Sequence, residues 1–185
     1  MASAGDVNGD GFDDLLIGAR RSDAAGNAKS DAGESYVIFG SNSFTSSVTH
    51  LGTAAGETLT GNASANVMDG GRGNDTLIGN GGADVLRGGE GNDVLAVSST
   101  SFNRVVGGNG SDTLRLDGSG LTLDLTTLKD NRVVDVEVID ITGSGNNALT
   151  LNQREVLNIS SDSNRLLVRL NSGDTVNTLP ILSNP

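Results

Sequence analysis

One residue in nine carries oxygen chemistry along the middle of this chain. Written from Gly52, the sequence divides into five consecutive nine-residue blocks, GTAAGETLT, GNASANVMD, GGRGNDTLI, GNGGADVLR and GGEGNDVLA, covering 52–96; a sixth, GGNGSDTLR, covers 107–115. The sixth position of these blocks is Glu57, Asn66, Asp75, Asp84, Asp93 and Asp112. Carboxylates and amides at fixed spacing offer the oxygen ligands that a hard cation takes. The eighth position is apolar every time, as Leu59, Met68, Leu77, Leu86, Leu95 and Leu114, so each block also contributes one residue to an interior. A polar linker has no reason to keep an apolar residue in phase.

The elements that must position those oxygens follow from the same blocks. Positions 1 to 6 are rich in glycine, which supplies the positive-φ conformations of a tight turn, and positions 7 to 9 suit a short strand. If two blocks make one coil, Asp75 stacks beneath Asp93 at a separation of 18 residues, while Asn66 and Asp84 stack on the opposite side. Carboxylates stacked at a strand spacing of about 4.8 Å repel each other unless a cation lies between them. Glycine turns leave backbone carbonyls accessible, and carbonyls with carboxylates are the ligand set of calcium. The expectation is a segment that becomes ordered when calcium supplies the free energy its thin core lacks.

The blocks resemble the repeats-in-toxin (RTX) nonapeptide G-G-x-G-x-D-x-U-x, with 70–78 and 88–96 as full matches. The resemblance implies an all-β, right-handed parallel β-roll with calcium between successive turns. It also implies the ligands: the sixth-position side chains Asn66, Asp75, Asp84, Asp93 and Asp112, with turn carbonyls of Gly71, Gly73, Asn80, Gly82, Gly89, Gly91, Gly108 and Gly110. Glu57 and Asn66 depart from Asp, and the first two blocks lack most turn glycines, so sites at that end are expected to be weak or empty. Beyond the last block, GGNGSDTLRLDGSGLTLDLT and VEVIDITGSGNNALTL are similar to the region that follows such repeats in large secreted bacterial adhesins and haemolysin-like proteins. That implies a ladder continuing without ions.

A second oxygen pattern precedes the blocks. In DVNGDGFDD, Asp6, Asn8, Asp10 and Asp14 occupy positions 1, 3, 5 and 9, and Phe12 can offer its carbonyl from position 7. Alternate positions converge on one ion when a loop wraps around it, and Gly11 permits the sharp turn. An EF-hand requires a carboxylate at position 12, which is Ile17 here, so the loop is of another kind. The loop, followed by the apolar runs LLIGA and SYVIFG, is similar to the FG-GAP repeat of integrin α-subunit propellers, where such loops bind calcium. One repeat cannot close a propeller. Either the unit is a piece of a propeller parted from its other blades, or it caps the first coils of the roll.

Composition bounds the rest. Twenty-three acidic against twelve basic side chains give a net charge of −11, which disfavours nucleic acid and anionic membranes and favours cations. There is no cysteine, hence no disulfide and no thiolate chemistry, and aromatics are only 3%, so the core rests on Leu, Val and Ile. His50 is the single histidine, in the linker SSVTHLGT without a nucleophile elbow, and reads as a surface residue. Among so many acids a glycosidase pair has no distinguishing mark, and metal binding already accounts for them, so the chain is read as non-enzymatic. Met1, Ala2 and Ser3 read as a cloning remnant, with the native termini expected to be missing. Period-two alternation predicts strands in TLRLDG, LTLDLTTL, VVDVEVIDITG, NALTL and RLLVRL, and NQREVLNIS predicts one short helix capped by Asn152 with Glu155 three residues on.

The expected organisation is an FG-GAP-like hairpin over 1–48, the RTX roll over 49–115 and a strand-rich continuation or cap over 116–185. The expected function is a structural, calcium-folded segment of a larger bacterial protein, an adhesin or haemolysin-like protein exported by a type I system to the cell surface or medium. The alternative is the calcium-binding accessory module of a secreted protease, lipase or epimerase; a third possibility is a ligand-binding face formed with the FG-GAP-like unit. Partners are expected to be several calcium ions, without nucleic acid or membrane insertion, in a monomer. Any cell-surface or carbohydrate ligand would bind through other domains.

Overall fold

The computed structural model describes residues 2–5, 14–19, 34–38, 48–160 and 164–180. The chain divides into two units, Met1–Ser46 and Ser47–Pro185. In the first, β1 (Ala2–Gly5), β2 (Asp14–Ala19) and β3 (Glu34–Ile38) form an antiparallel sheet in that order. Leu15 lies opposite Ile38 and Ile17 opposite Tyr36, the hairpin expected from the two apolar runs. The extra strand β1, ASAG, has no apolar alternation to announce it.

The second unit is a stack of parallel strands. One sheet contains β4 (His50–Leu51), β6 (Val67–Arg72), β8 (Val85–Glu90), β10 (Arg104–Asn109) and β13 (Val133–Val134). The facing sheet contains β5 (Thr58–Thr60), β7 (Thr76–Ile78), β9 (Val94–Val97), β11 (Thr113–Leu116), β14 (Val138–Asp140) and β16 (Leu167–Arg169). A third sheet, β12 (Thr122–Asp124), β15 (Ala148–Asn152) and β17 (Thr175–Leu179), begins only after the last block. From β4 to β7 each strand pairs with the one 18 residues on, Val67 opposite Val85 and Thr76 opposite Val94, and β8 and β9 pair 19 residues on, Val85 opposite Arg104 and Val94 opposite Thr113. Two blocks therefore make one coil of an all-β parallel roll. Beyond 116 the coils lengthen to accommodate the third sheet, with Thr122 opposite Ala148 and Ala148 opposite Thr175.

The eighth-position residues form the interior. Met68, Leu77, Leu86, Leu95 and Leu114 are fully buried, Leu59 at the first coil is partly buried, Val105 and Ile139 extend the same stacks, and Leu123 opposite Leu149 forms a further buried pair in the third sheet. Each coil adds only a few apolar side chains, so any one of them matters. Leu95→Ala is expected to lower the urea midpoint in calcium by the equivalent of about 2–5 kcal/mol, because neighbours held by hydrogen bonds on both sides cannot collapse into the cavity. A change below about 1 kcal/mol would mean that the stack is not closely packed.

Several details differ from expectation. Positions 1 to 3 of the blocks starting at Gly70, Gly88 and Gly107 continue their strands, because parallel pairing carries on through Gly71, Gly89 and Gly108. His50 lies in the first strand of the roll, opposite Met68, with Thr49 Oγ1 3.0 Å from its Nδ1, rather than in a linker. The interruption VSSTSFNRVV is itself a half-coil: Arg104 pairs with Val85, and Phe102 fills the interior beneath the Arg132 guanidinium, 4.8 Å from the ring centre. The predicted helix is present as α1 (Gln153–Ile159), with Asn152 accepting from the Glu155 N–H at 3.1 Å. It lies against β13, the last strand of its sheet, and the Ile159 carbonyl accepts from Val136 at 2.7 Å.

Candidate metal centre

The parallel register brings the sixth-position side chains of alternate blocks into a column along one edge of the roll, where a second kind of hydrogen bond runs between coils. The Glu57 N–H donates to Asp75 Oδ1, the Asp75 N–H to Asp93 Oδ1 and the Asp93 N–H to Asp112 Oδ1, each at 2.8 Å. On the opposite edge the Asn66 N–H donates to Asp84 Oδ1 at 2.9 Å. Each aspartate thus binds the backbone of the coil before it, and the side chain is drawn inward. Asp75, Asp84, Asp93 and Asp112 are at most 2% exposed, and Asn66 is 4% exposed.

The other oxygen separates these residues into two groups. Oδ2 of Asp75, of Asp93 and of Asp112 is buried and has no hydrogen-bond partner. In the first two blocks the corresponding oxygen is already satisfied: Glu57 accepts from the Thr53 N–H and hydroxyl, both at 2.7 Å, and Asn66 Oδ1 accepts from the Asn62 N–H at 2.9 Å. A buried carboxylate oxygen without a donor is costly unless a cation or a proton compensates it. The surroundings of the orphaned oxygens contain further acceptors. A Cβ placed on Gly70 would sit 2.6 Å from Asp75 Oδ2 and 2.5 Å from the Gly88 carbonyl oxygen of the next coil; at Gly88 the same point is shared by Asp93 Oδ2 and the Gly107 carbonyl. Oxygens face oxygens there.

The turn residues expected as carbonyl donors stack on the same edge. Gly71, Gly73, Gly89, Gly91, Gly108 and Gly110 all have positive φ, and the carbonyls of Gly71, Gly73, Gly89 and Gly91 each face the glycine of the following coil. On the opposite edge, Asn80 (φ 58°) donates its side-chain amide to the Gly61 carbonyl at 3.2 Å, and the Gly82 carbonyl accepts from the Ser101 hydroxyl at 3.3 Å. That edge has one aspartate, Asp84, between Asn66 and the exposed Asn103, so it offers less charge and fewer free oxygens. Among the described residues, no three His, Cys, Asp or Glu side chains converge on one point, so a cation here would be held by carboxylates and carbonyls together. Asp6, Asn8, Asp10 and Phe12 lie outside the described residues, and Asp14 opens β2.

Three further residues contribute. Asn74 and Asn92, at the fifth position, form a parallel ladder: Asn74 Oδ1 accepts from the Asn92 N–H at 2.7 Å and Asn92 Oδ1 from the Ser111 N–H at 2.8 Å. Their recurrence in the full-match blocks was the available signal. Glu137 accepts from the Asp112 N–H at 2.9 Å and so takes the sixth-position role one coil beyond the last block, with no nonapeptide around it to mark it.

Burial pushes the Asp75 and Asp84 carboxyls above their ordinary 3.8, Asp93 to about 6 and Asp112 to about 7; the donated N–H groups oppose the shift, and neighbouring carboxylates add to it for Asp75, Asp93 and Asp112. In the ion-free chain, protonated Asp112 therefore favours folding. That contribution is complete below pH 3.8 and is lost as pH rises to about 7. Cation binding needs the ionised forms and must release protons in the same window. Calorimetry at pH 6 in buffers of different ionisation enthalpy is expected to show proton release on calcium binding, with affinity rising from pH 5.5 to 7.5; identical heats in all buffers would contradict this.

Comparison with known proteins agrees with the geometry. Residues 52–95 and 99–119 match the RTX calcium-binding nonapeptide repeat, in four copies, and residues 2–38 match the FG-GAP repeat. No curated protein and no solved structure matches the chain. The chain thus carries RTX calcium-binding repeats preceded by an FG-GAP repeat, and its parallel roll is a calcium-binding structural segment.

Proposed function

We propose that this chain is a structural segment of a larger secreted bacterial protein of adhesin or haemolysin-like type, exported through a type I system and folding when it meets calcium outside the cell. The observation that carries the proposal is the set of buried, unpartnered oxygens on Asp75, Asp93 and Asp112, repeated coil after coil beside carbonyls of the next turn. Calcium supplies a divalent charge and accepts several oxygens at once, which those positions lack. The ligands proposed along this edge are the three aspartates and the carbonyls of Gly71, Gly73, Gly89, Gly91, Gly108 and Gly110. Asn66, Asp84, Asn80 and Gly82 form a weaker set on the other edge, and Asp6, Asn8, Asp10, Phe12 and Asp14 form the loop site of the FG-GAP repeat.

Several properties of the chain favour folding after export. Eleven net negative charges keep an ion-free chain expanded and soluble, and calcium at extracellular levels exceeds the dissociation constants of about 10⁻⁴ to 10⁻³ M typical of extracellular modules. Binding then stabilises the fold by mass action. Among the described residues, no helix is long and apolar enough to cross a membrane.

Limited proteolysis tests the proposal. At submicromolar free calcium, residues 48–180 are expected to be cleaved throughout; at about 1 mM they should resist. Equal resistance in both conditions would remove folding on export from the account.

A further inference from the structure

We infer that the calcium ladder continues one coil beyond the nonapeptides, with a further calcium site formed by Asp112 on one side and the 135–137 turn on the other. This site exists only if the repeats bind calcium as proposed above. The place is defined by Gly107. A Cβ there would sit 2.5 Å from the orphaned Oδ2 of Asp112 and would also collide with the Asp135 carbonyl oxygen. This repeats the arrangement at Gly70 and Gly88, where an orphaned aspartate oxygen shares one point with the carbonyl that begins the next coil. Asp135 supplies that carbonyl although no glycine block is present.

The backbone reaches this geometry by a shorter route. Gly107 and Asp112 are separated by four residues, whereas Asp135 and Glu137 are separated by one, and Asp135 takes φ 52° to make the turn. The strands on both sides remain in parallel register, Val105 opposite Val133 and Thr113 opposite Val138. Glu137 then accepts from the Asp112 N–H, as Asp112 accepts from Asp93 and Asp93 from Asp75. A carboxyl side chain thus stands where the ladder has aspartate. Asp112 is 0% exposed, so the oxygen that needs a partner cannot obtain one from bulk water.

The third column of the fold is a ladder of another kind. There the Leu121 N–H donates to Asn147 Oδ1 and the Asn147 N–H to Asp174 Oδ1, and Asp174 Oδ2 accepts from the Asn171 N–H at 2.8 Å. All of these oxygens are satisfied within the chain, and a neutral asparagine occupies the middle position. Asp112 follows the pattern of Asp75 and Asp93 instead, with Glu137 as the acceptor of its N–H. Glu137 also lines an open cavity of about 400 Å³ with Ser111 and Arg165.

The test is the number of calcium ions bound by the whole chain, counted by native mass spectrometry at about 1 mM calcium. Glu137→Gln keeps an acceptor for the Asp112 N–H and removes the charge, and Glu137→Ala removes both. Asp75→Asn serves as a control within the nonapeptides. Glu137→Gln is expected to bind one ion fewer than the wild type, with the remaining affinities within about twofold and an unchanged circular-dichroism spectrum. If the wild type binds calcium and Asp75→Asn loses an ion, while both Glu137 variants keep the full count, the site at 135–137 is overturned and the roll stands. The same result would follow if the Arg165 guanidinium, rather than an ion, neutralised Glu137. If the wild type binds no calcium, the proposed function itself fails.

Discussion

Alanine at Gly89 or Gly91 is expected to abolish the folded roll, whereas alanine at Gly120 leaves it intact. The first two glycines have φ of 112° and 130°, a region that L-residues rarely adopt. A Cβ at Gly89 would collide with the Gly71 carbonyl and one at Gly91 with the Gly73 carbonyl, so the obstruction is backbone of the preceding coil rather than a movable side chain. The coils would have to separate along the very edge that carries the orphaned oxygens. The cost should exceed about 4 kcal/mol, at the far end of what single substitutions do, and calcium affinity should fall with it. Gly120 has φ 65° but nothing within 4 Å of its Cβ position, so Gly120→Ala carries only the conformational cost of about 1–2 kcal/mol. Urea denaturation of the three variants in calcium measures the contrast. Equal, small losses at all three would show that the turns are not stacked as described.

Asp93 is the centre of the ladder, and its two oxygens can be separated by choice of substituent. Oδ1 holds the Asp75 N–H and Oδ2 is the orphan beside Gly88. Asp93→Asn retains the acceptor but loses the charge, so calcium affinity should fall roughly tenfold or more while additional calcium restores the fold. Asp93→Ala also leaves the buried Asp75 N–H unpaired, adding about 1–3 kcal/mol that calcium cannot recover. Asp174→Asn, in the ladder whose oxygens are internally satisfied, should leave calcium affinity unchanged. Calcium titrations followed by circular dichroism distinguish the three; an Asp93→Asn curve that overlays the wild type would remove Asp93 from the site.

The parts of this account legible in the sequence are those governed by short-range periodicity. Positions 6 and 8 recur every nine residues, so the Leu77, Leu86 and Leu95 stack and the Asp75–Asp93 column follow from counting. Asn152 and Glu155 are a local capping signal and needed no partner elsewhere. What escaped depends on pairing between distant residues. One inserted residue in 97–106 shifts the spacing from Asp93 to Asp112 to 19, which hides Asn103 at the sixth position. Glu137 is reached only by knowing that Thr113 pairs with Val138. The third sheet, with β17 in the weakly alternating TVNTL, exists because the coils lengthen, and nothing in a local window reports coil length. The self-satisfied first turn was partly legible, since Glu57 and Asn66 depart from aspartate. Its physical reason, a side chain folded back onto the N–H of Thr53 or Asn62, required coordinates.

If calcium held by the orphaned oxygens of Asp75, Asp93 and Asp112 stabilises the parallel coils, the chain should gain strand structure when calcium is added. Circular dichroism of the whole chain, titrated from EGTA to about 10 mM calcium and repeated with magnesium, tests it most directly. Calcium should drive a coil-to-strand transition and magnesium should change little, because magnesium keeps its waters and demands a near-ideal octahedron. A strand spectrum already complete in EGTA and indifferent to calcium would contradict it, and would place the stability of the roll in its apolar stack alone.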